Sequence, residues 1–159
     1  MLWLRRFAKG LFEMNKAFVK EPEEHGDRCP RCGSRGEIVY QATLKAHLAA
    51  EDAARFSDSA YFCPLESCDV AYFDRFERSV LIDQLLRPVY PKDPMAPICP
   101  CFGLTCDDIE QDIEDGVVTR VRAHREQAMS DAARCTIHAP DGQSCIPAVQ
   151  RYYMRHRNP

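Results

Sequence analysis

Two pairs of cysteines in the first half of the sequence have the spacing of a metal site. They are C-P-R-C-G at residues 29–33 and C-P-L-E-S-C at residues 63–68. Two close pairs are what tetrahedral zinc requires, because each turn presents two sulfurs to one ion. A redox-active C-x-x-C dithiol is the alternative, but Pro30 and Gly33 favour a zinc knuckle. We therefore predict a structural zinc site, whose ligands are Cys29, Cys32, Cys63 and Cys68.

A second group of cysteines has a different spacing. It consists of C-P-C at residues 99–101, followed by Cys135 and Cys145. A C-x-C pair is too tight for an ordinary zinc knuckle but suits one iron of a [2Fe-2S] cluster, with two sulfurs from neighbouring loops on the other iron. The spacing alone leaves iron and zinc both open. The predicted ligands of this second site are Cys99, Cys101, Cys135 and Cys145.

Three further residues could take part in this chemistry. Cys106, the ninth cysteine, is expected to be half-buried in the first turn of a helix, where a lowered thiol pKa would also permit a redox or metal-transfer role. His138, between two proposed cluster ligands, is either an exposed loop residue or a hydrogen-bond donor or ligand to the cluster. His47 is either packed in a helix or the reserve zinc ligand.

The composition excludes several classes of protein. The 159 residues are 45% hydrophobic and 28% charged, with a net charge of -3, so wholesale disorder is excluded and nothing favours nucleic-acid binding. No apolar run of about 18 residues could span a membrane. The first residues do not resemble a signal peptide, so we expect reduced thiols and a cytoplasmic protein. Phosphate-binding loops and hydrolase motifs are absent, which argues against a conventional enzyme.

The elements that must position the cysteines indicate an α+β protein in two parts. Five prolines between residues 88 and 100 mark a linker at 88–98. Before it, residues 27–87 form the zinc-binding module, with strands at 37–41, 61–63 and 70–73 and a helix at 44–55 capped by Thr43. After it, residues 99–159 form a helical module. Its first helix is predicted to run from a cap at Thr105 to near Gly116, and two more are predicted over 117–133 and over 145–155.

The first 26 residues form a separate basic segment. Residues 1–20 contain five basic side chains and one acid, and Trp3, Phe7, Leu11, Met14 and Phe18 would form one stripe of a helix. Such a helix can lie on an anionic membrane surface, here the inner face of the membrane, or dock on a partner. Packing on its own domain is the alternative.

Four sequence runs together resemble the N-terminal domain of cluster-containing CopZ-type copper chaperones. They are C-P-R-C-G, T-L-K-A-H-L, Y-F-C-P-L-E-S-C-D-V-A-Y-F and C-P-C-F-G-L-T, and the resemblance spans residues 27–150. In that family a zinc-binding module precedes a helical [2Fe-2S] module similar to the bacterioferritin-associated ferredoxin. The resemblance implies Zn²⁺ on the first four cysteines and a [2Fe-2S] cluster on the second four.

The resemblance also implies a function, with three departures from the family pattern. The family suggests a metallochaperone-like protein that transfers one electron at a time, for example reducing Cu(II) to Cu(I), with an unidentified redox or transport partner. Pro100 and Ile146 stand where relatives carry Tyr and a second Cys, and the sequence contains no M-x-C-x-x-C copper-transfer loop. Two alternatives remain: a ferredoxin serving an iron store or a membrane reductase, and a zinc-only protein-interaction module.

Overall fold

The computed structural model describes residues 25–158, which form an α+β structure with the sheet first and most of the helices after it. The four strands are β1 Glu37–Tyr40, β2 Ser59–Phe62, β3 Val70–Phe73 and β4 Ser79–Leu81. The six helices are α1 Gln41–His47, α2 Ala50–Ala53, α3 Cys106–Glu114, α4 Thr119–Ala128, α5 Cys135–His138 and α6 Ile146–Arg157. Within the described range, every helix is too short or too polar to cross a bilayer.

The sheet is an antiparallel meander in the order β1-β2-β3-β4. β3 lies inside it and is buried along its whole length, which explains why its sequence, V-A-Y-F, is continuously apolar. Gly36 leads into β1 where a side chain could not fit, since an added Cβ would lie 2.6 Å from the Cβ of Tyr61. The predicted strands at 37–41 and 70–73 match β1 and β3, the predicted strand at 61–63 covers only the second half of β2, and β4 was not predicted.

The predicted helix at 44–55 is wrong in its start, its cap and its continuity. α1 begins earlier, at Gln41, and the chain leaves the helix at Leu48, where φ is -121° and ψ is 151°. This extended residue is buried and forms an isolated β-bridge with Leu85, so tertiary pairing overrides the helical propensity of the alanines around it. Thr43 lies inside α1 and caps nothing.

The helical part packs α3 against α4 and α6 around a second apolar core. Thr105 caps α3 as predicted: its hydroxyl accepts a hydrogen bond from the Asp108 backbone N–H, and the Asp108 carboxylate accepts one from the Thr105 N–H in return. Gly116, with φ at +66°, follows the end of α3. The prediction at 117–133 is too long, since α4 ends at Ala128, and the short helix α5 was not predicted.

A buried carboxylate joins α3 to α4. Asp112 is fully buried in α3 and accepts hydrogen bonds from the Arg120 side chain and from the Val121 backbone N–H, each at 3.0 Å. The Arg120–Asp112 ion pair neutralises a charge that would otherwise be costly to bury. The clamp fixes the start of α4, and with it the face of α4 that packs over α6.

Candidate metal centres

The first four cysteines converge, although they come from two segments more than thirty residues apart. The sulfurs of Cys29, Cys32, Cys63 and Cys68 all lie within 4.8 Å of one another. The Cys29 and Cys68 sulfurs are 3.9 Å apart, and those of Cys32 and Cys63 are 3.5 Å apart. Four convergent soft donors, three of them buried, match a closed tetrahedral site with no position left for a substrate.

The two turns that carry these sulfurs are fixed by backbone hydrogen bonds. In the first, Gly33 N–H donates to the Cys29 carbonyl at 2.8 Å, with φ of Gly33 at +73°. In the second, Cys68 N–H donates to the Leu65 carbonyl at 3.1 Å, and the Lys92 ammonium donates to the Leu65 and Cys68 carbonyls. The proline-rich segment at 88–98 therefore supports the second turn through Lys92.

Neighbouring thiols in this group shift one another's pKa values. Burial acts to raise the pKa of Cys32, but hydrogen bonds involving Ser34, Cys63 and Cys29 outweigh it and lower that pKa to about 6. Burial raises the pKa of Cys63 to about 12. Crowding several thiols into one place therefore favours a single thiolate among protonated neighbours, and a bound cation would be needed to hold all four as thiolates.

The turn at residues 99–104 repeats the backbone of the turn at residues 29–34. Gly103 N–H donates to the Cys99 carbonyl at 2.8 Å, and φ of Gly103 is +73°, the value found at Gly33. Both turns read Cys-Pro-x-x-Gly, but the second thiol stands three residues after the first in one (Cys32) and two residues after it in the other (Cys101). This shift of one residue changes the direction in which the second sulfur faces.

The second group of sulfurs forms two pairs. Cys99 lies next to Cys145, and both are buried. The hydrogen bond with Cys145 lowers the pKa of Cys99 to about 4, against the effect of burial, and the same contact raises the pKa of Cys145. Cys101 instead interacts with Cys135; burial first, then the charge on Cys135, raises the pKa of Cys101. Both of these cysteines are only half-buried.

The contacts in the second group are between cysteines of different segments, Cys99 with Cys145 and Cys101 with Cys135. The short contacts of the first group likewise join different segments, Cys29 with Cys68 and Cys32 with Cys63. That the C-x-C pair shares one iron stays a prediction about the metal-bound protein.

The chain is similar to known proteins in sequence and in structure. Residues 26–86 match a family model for the zinc-binding domain of CopZ proteins. The copper chaperone CopZ of Archaeoglobus fulgidus is 27% identical over 127 residues, which cover 78% of this chain and 60% of that protein. The X-ray structure of its N-terminal domain superposes with a TM-score of 0.66 at 25% identity, covering 78% of this chain and 95% of that one.

The chain is similar to the CopZ N-terminal domain in sequence and in fold. Its first part is a zinc-binding domain, and its cysteine groups mark it as a metal-binding protein. The chain spans about three fifths of the curated relative, so the activity of that whole protein is not transferred with the fold.

The sheet part holds the segment between two of the proposed cluster ligands, which begins within α5. Three side chains donate to alternate carbonyls of residues 136–140, a set that we call the latch. Thr43 donates to the Thr136 carbonyl, and His47 donates to that of His138 at 3.0 Å. Tyr72, fully buried in β3, donates to the Pro140 carbonyl at 2.7 Å. The latch anchors the backbone that carries Cys135 and Cys145.

The latch explains the position of His47, for which the sequence also allowed a role as the reserve zinc ligand. Its Nε2 is engaged with the His138 carbonyl, and it lies outside the group of cysteines that could hold a metal. Burial is the main cause that lowers the pKa of His47 to about 4, so the ring is neutral at neutral pH. His47 is therefore a packed residue of the CopZ-type domain, one of the two alternatives given by the sequence.

The other residues singled out from the sequence are placed as follows. Cys106 is in the first turn of α3 as predicted, but it is buried at 6% exposure rather than half-buried. The side chain of His138 is exposed, and only its backbone takes part in the latch. The amphipathic stripe at residues 1–20 lies outside the described residues.

Sequence reasoning missed one residue of the second site. His124 in α4 is 3% exposed, and its Nε2 lies 3.2 Å from the sulfur of Cys145. The ring nitrogen, Cys99 Sγ and Cys145 Sγ all lie within 4.8 Å of one another. A histidine in the middle of a charged helix, T-R-V-R-A-H-R-E, is the only signal the sequence offers, and helical periodicity alone does not aim it at Cys145.

Proposed function

We propose that the helical part holds a [2Fe-2S] cluster and serves metal handling as a one-electron carrier, while the first cysteine group holds a structural zinc ion. The proposed zinc ligands are Cys29, Cys32, Cys63 and Cys68. The proposed cluster ligands are Cys99, Cys101, Cys135 and Cys145. The proposal rests on the division of the second group into two cysteine pairs, which suits a centre with two irons.

The donor set fits this cofactor better than a mononuclear site. Four thiols from three segments face one region, yet Cys101 and Cys135 lie outside the tight group that Cys99 and Cys145 form with His124. A single ion needs all its donors at one point, whereas two irons need two pairs of donors.

The surroundings of the thiols suit electron transfer to a metal ion. When bound, a [2Fe-2S] cluster supplies one electron at a time, which is what the reduction of Cu(II) to Cu(I) requires. The buried Cys99 and Cys145 exclude water from one side, and the half-buried Cys101 and Cys135 leave the other side accessible to a cargo ion or a redox protein. Copper is proposed as the cargo because the matched relative is a copper chaperone and because thiolate ligands favour Cu(I).

One observation favours a second candidate, a zinc-only interaction module. Cys99, Cys145 and His124 form a compact group of two thiols and an imidazole, and zinc accepts that donor set when a fourth ligand is added. In this candidate the chain carries no electrons, and its second zinc ion stabilises the helices.

Metal analysis after anaerobic purification tests both candidates. We expect about two irons, two acid-labile sulfides and one zinc per chain, with a red-brown colour that bleaches on adding dithionite. The re-oxidation of the reduced protein by one equivalent of Cu(II), followed in the visible spectrum, then tests the copper step. About two zinc ions and no iron, even after reconstitution with iron and sulfide, would contradict the electron-transfer function and leave the interaction module.

A further inference from the structure

His124 is held rigidly against one proposed cluster ligand. The Asp112 clamp fixes the first turn of α4 through the Val121 backbone N–H, and His124 follows one turn further along the same helix. The His124 ring is buried and approaches Cys145 from α4. Cys145 itself immediately precedes α6. The 3.2 Å separation of Nε2 and Sγ is a hydrogen-bonding distance for a sulfur partner.

We propose that His124 donates an N–H···S hydrogen bond from Nε2 to Cys145 and thereby raises the reduction potential of the [2Fe-2S] centre. The inference deepens the proposed function and rests on it. A thiolate that binds iron has no proton to donate, so the hydrogen of this contact must come from the imidazole. His124 is accordingly a positioning residue that acts through Cys145.

The direction of the effect follows from charge. A reduced centre carries one more electron than an oxidised one, and part of this negative charge resides on the ligand sulfurs. A donor that faces one of those sulfurs stabilises the reduced state more than the oxidised state. Because Cys145 and His124 are both buried, solvent screens the contact little.

A pair of substitutions tests the proposal on the full chain. His124→Leu removes the donor while keeping an apolar side chain of moderate size, and His124→Gln retains an N–H donor at a similar reach. We expect His124→Leu to shift the ratio of reduced to oxidised protein about tenfold toward the oxidised form at a fixed solution potential, which is about 59 mV for one electron. His124→Gln should recover most of the shift. His156→Leu, at the exposed end of α6, is the matched control and should leave the potential unchanged.

Spectroscopy of the unsubstituted protein supplies a test that does not depend on how a variant folds. In the reduced protein, we expect pulsed paramagnetic resonance to detect an exchangeable proton near the centre and only a weak coupling to nitrogen. A strong coupling to nitrogen would overturn the proposal, because His124 would then be a ligand.

The outcomes separate this inference from the proposed function. If the unsubstituted protein contains iron and labile sulfide but His124→Leu leaves the potential where it was, the role of His124 is refuted and the proposed function stands. If the unsubstituted protein takes up no iron, the proposed function fails and this inference fails with it. Zinc content and circular dichroism of each variant report whether it is folded.

Discussion

Two buried histidines show how neighbours decide what one residue type does. His47 and His124 both lie on helices with at most 3% of their surface exposed, and each presents Nε2 to a partner. The partner of His47 is a backbone carbonyl, so the ring serves as a neutral structural donor. The partner of His124 is the sulfur of Cys145, so that ring is placed to influence a metal centre.

Acid should destabilise the protein through His47. The pKa of His47 is lowered from 6.5 to about 4, because burial, together with the charges of Arg87 and the His138 ring, outweighs the hydrogen bond with the His138 backbone, which acts to raise it. Below pH 6.5 the unfolded state therefore binds a proton that the folded state excludes. This contribution to stability is fully present above pH 6.5 and is lost as the pH falls toward 4.

The loss by pH 5.5 should be about 1.4 kcal/mol relative to pH 7.5. Urea unfolding of the native protein and of His47→Gln at these two pH values measures it, since the glutamine keeps an N–H donor but does not titrate. We expect the decrease in the free energy of unfolding to be smaller in His47→Gln by about that amount. An equal decrease in the two proteins would show that His47 does not govern the acid response.

The sheet part positions residues 136–140 of the helical part, which lie between two proposed cluster ligands. The latch joins α1 and β3 to residues 136–140, and α1 also packs on α5. The three donor side chains are buried in the sheet part, so they can move little. They therefore restrict the backbone between Cys135 and Cys145. The segment between the proposed ligands Cys135 and Cys145 therefore gains order from this contact.

Tyr72→Phe should loosen this loop without disturbing the zinc site. The substitution removes only the hydroxyl that donates to the buried Pro140 carbonyl, which should lower the free energy of unfolding by about 1 to 2 kcal/mol. Iron release to a chelator should become about fivefold faster, the factor that corresponds to 1 kcal/mol. The absorbance of the iron–chelator complex over time measures this rate.

Tyr61→Phe is the matched control for the latch. Tyr61 lies on the neighbouring strand β2, and its hydroxyl makes no hydrogen bond to residues 136–140. We expect zinc content to stay at about one ion per chain in both variants. Equal rates of iron release in the two variants would contradict the positioning role of the latch.

In the molecule as a whole, the four cysteines proposed to bind zinc replace a part of the core that so small a sheet cannot provide. The apolar cluster on that side is built from the cysteines themselves together with Val70 and Phe73. A metal ion that joins the two turns would therefore contribute directly to folding. Since the latch connects the sheet part to the helical part, the loss of zinc should lower the stability of both parts.

Cys63→Ser should lower the thermal stability of the entire protein. Cys63 is fully buried in the group, and we expect its substitution to abolish stoichiometric zinc binding. The melting temperature should fall by roughly 10 °C or more, because a structural zinc contributes several kcal/mol and each 1 kcal/mol corresponds to roughly 2–4 °C. Metal analysis and thermal unfolding by circular dichroism provide the two measurements.

Cys106→Ser controls for the loss of a buried thiol. Cys106 lies outside both proposed ligand sets, so this variant should keep its zinc and its iron. If Cys63→Ser retained one zinc per chain and the native melting temperature, the zinc site would have to be sought elsewhere.

Features that depend on local patterns could be predicted from the sequence. The cysteine spacing predicted the first group of sulfurs, which the structure brings together, because the turn of a Cys-Pro-x-x-Gly segment is fixed by its own residues. Thr105 and the acidic residues after it predicted the start of α3 for the same reason. The α+β class and the CopZ-type resemblance followed from these patterns together, and the comparisons bear them out.

Which distant groups meet depends on how the helices and strands pack in the folded chain. The break at Leu48 depends on pairing with Leu85, and the latch depends on docking of the sheet against residues 136–140. The pairing of Cys99 with Cys145 and the approach of His124 require α4 and α6 to pack together. These contacts join residues far apart in the chain, and their geometry is set by the packing of whole elements rather than by any spacing that can be read along the sequence.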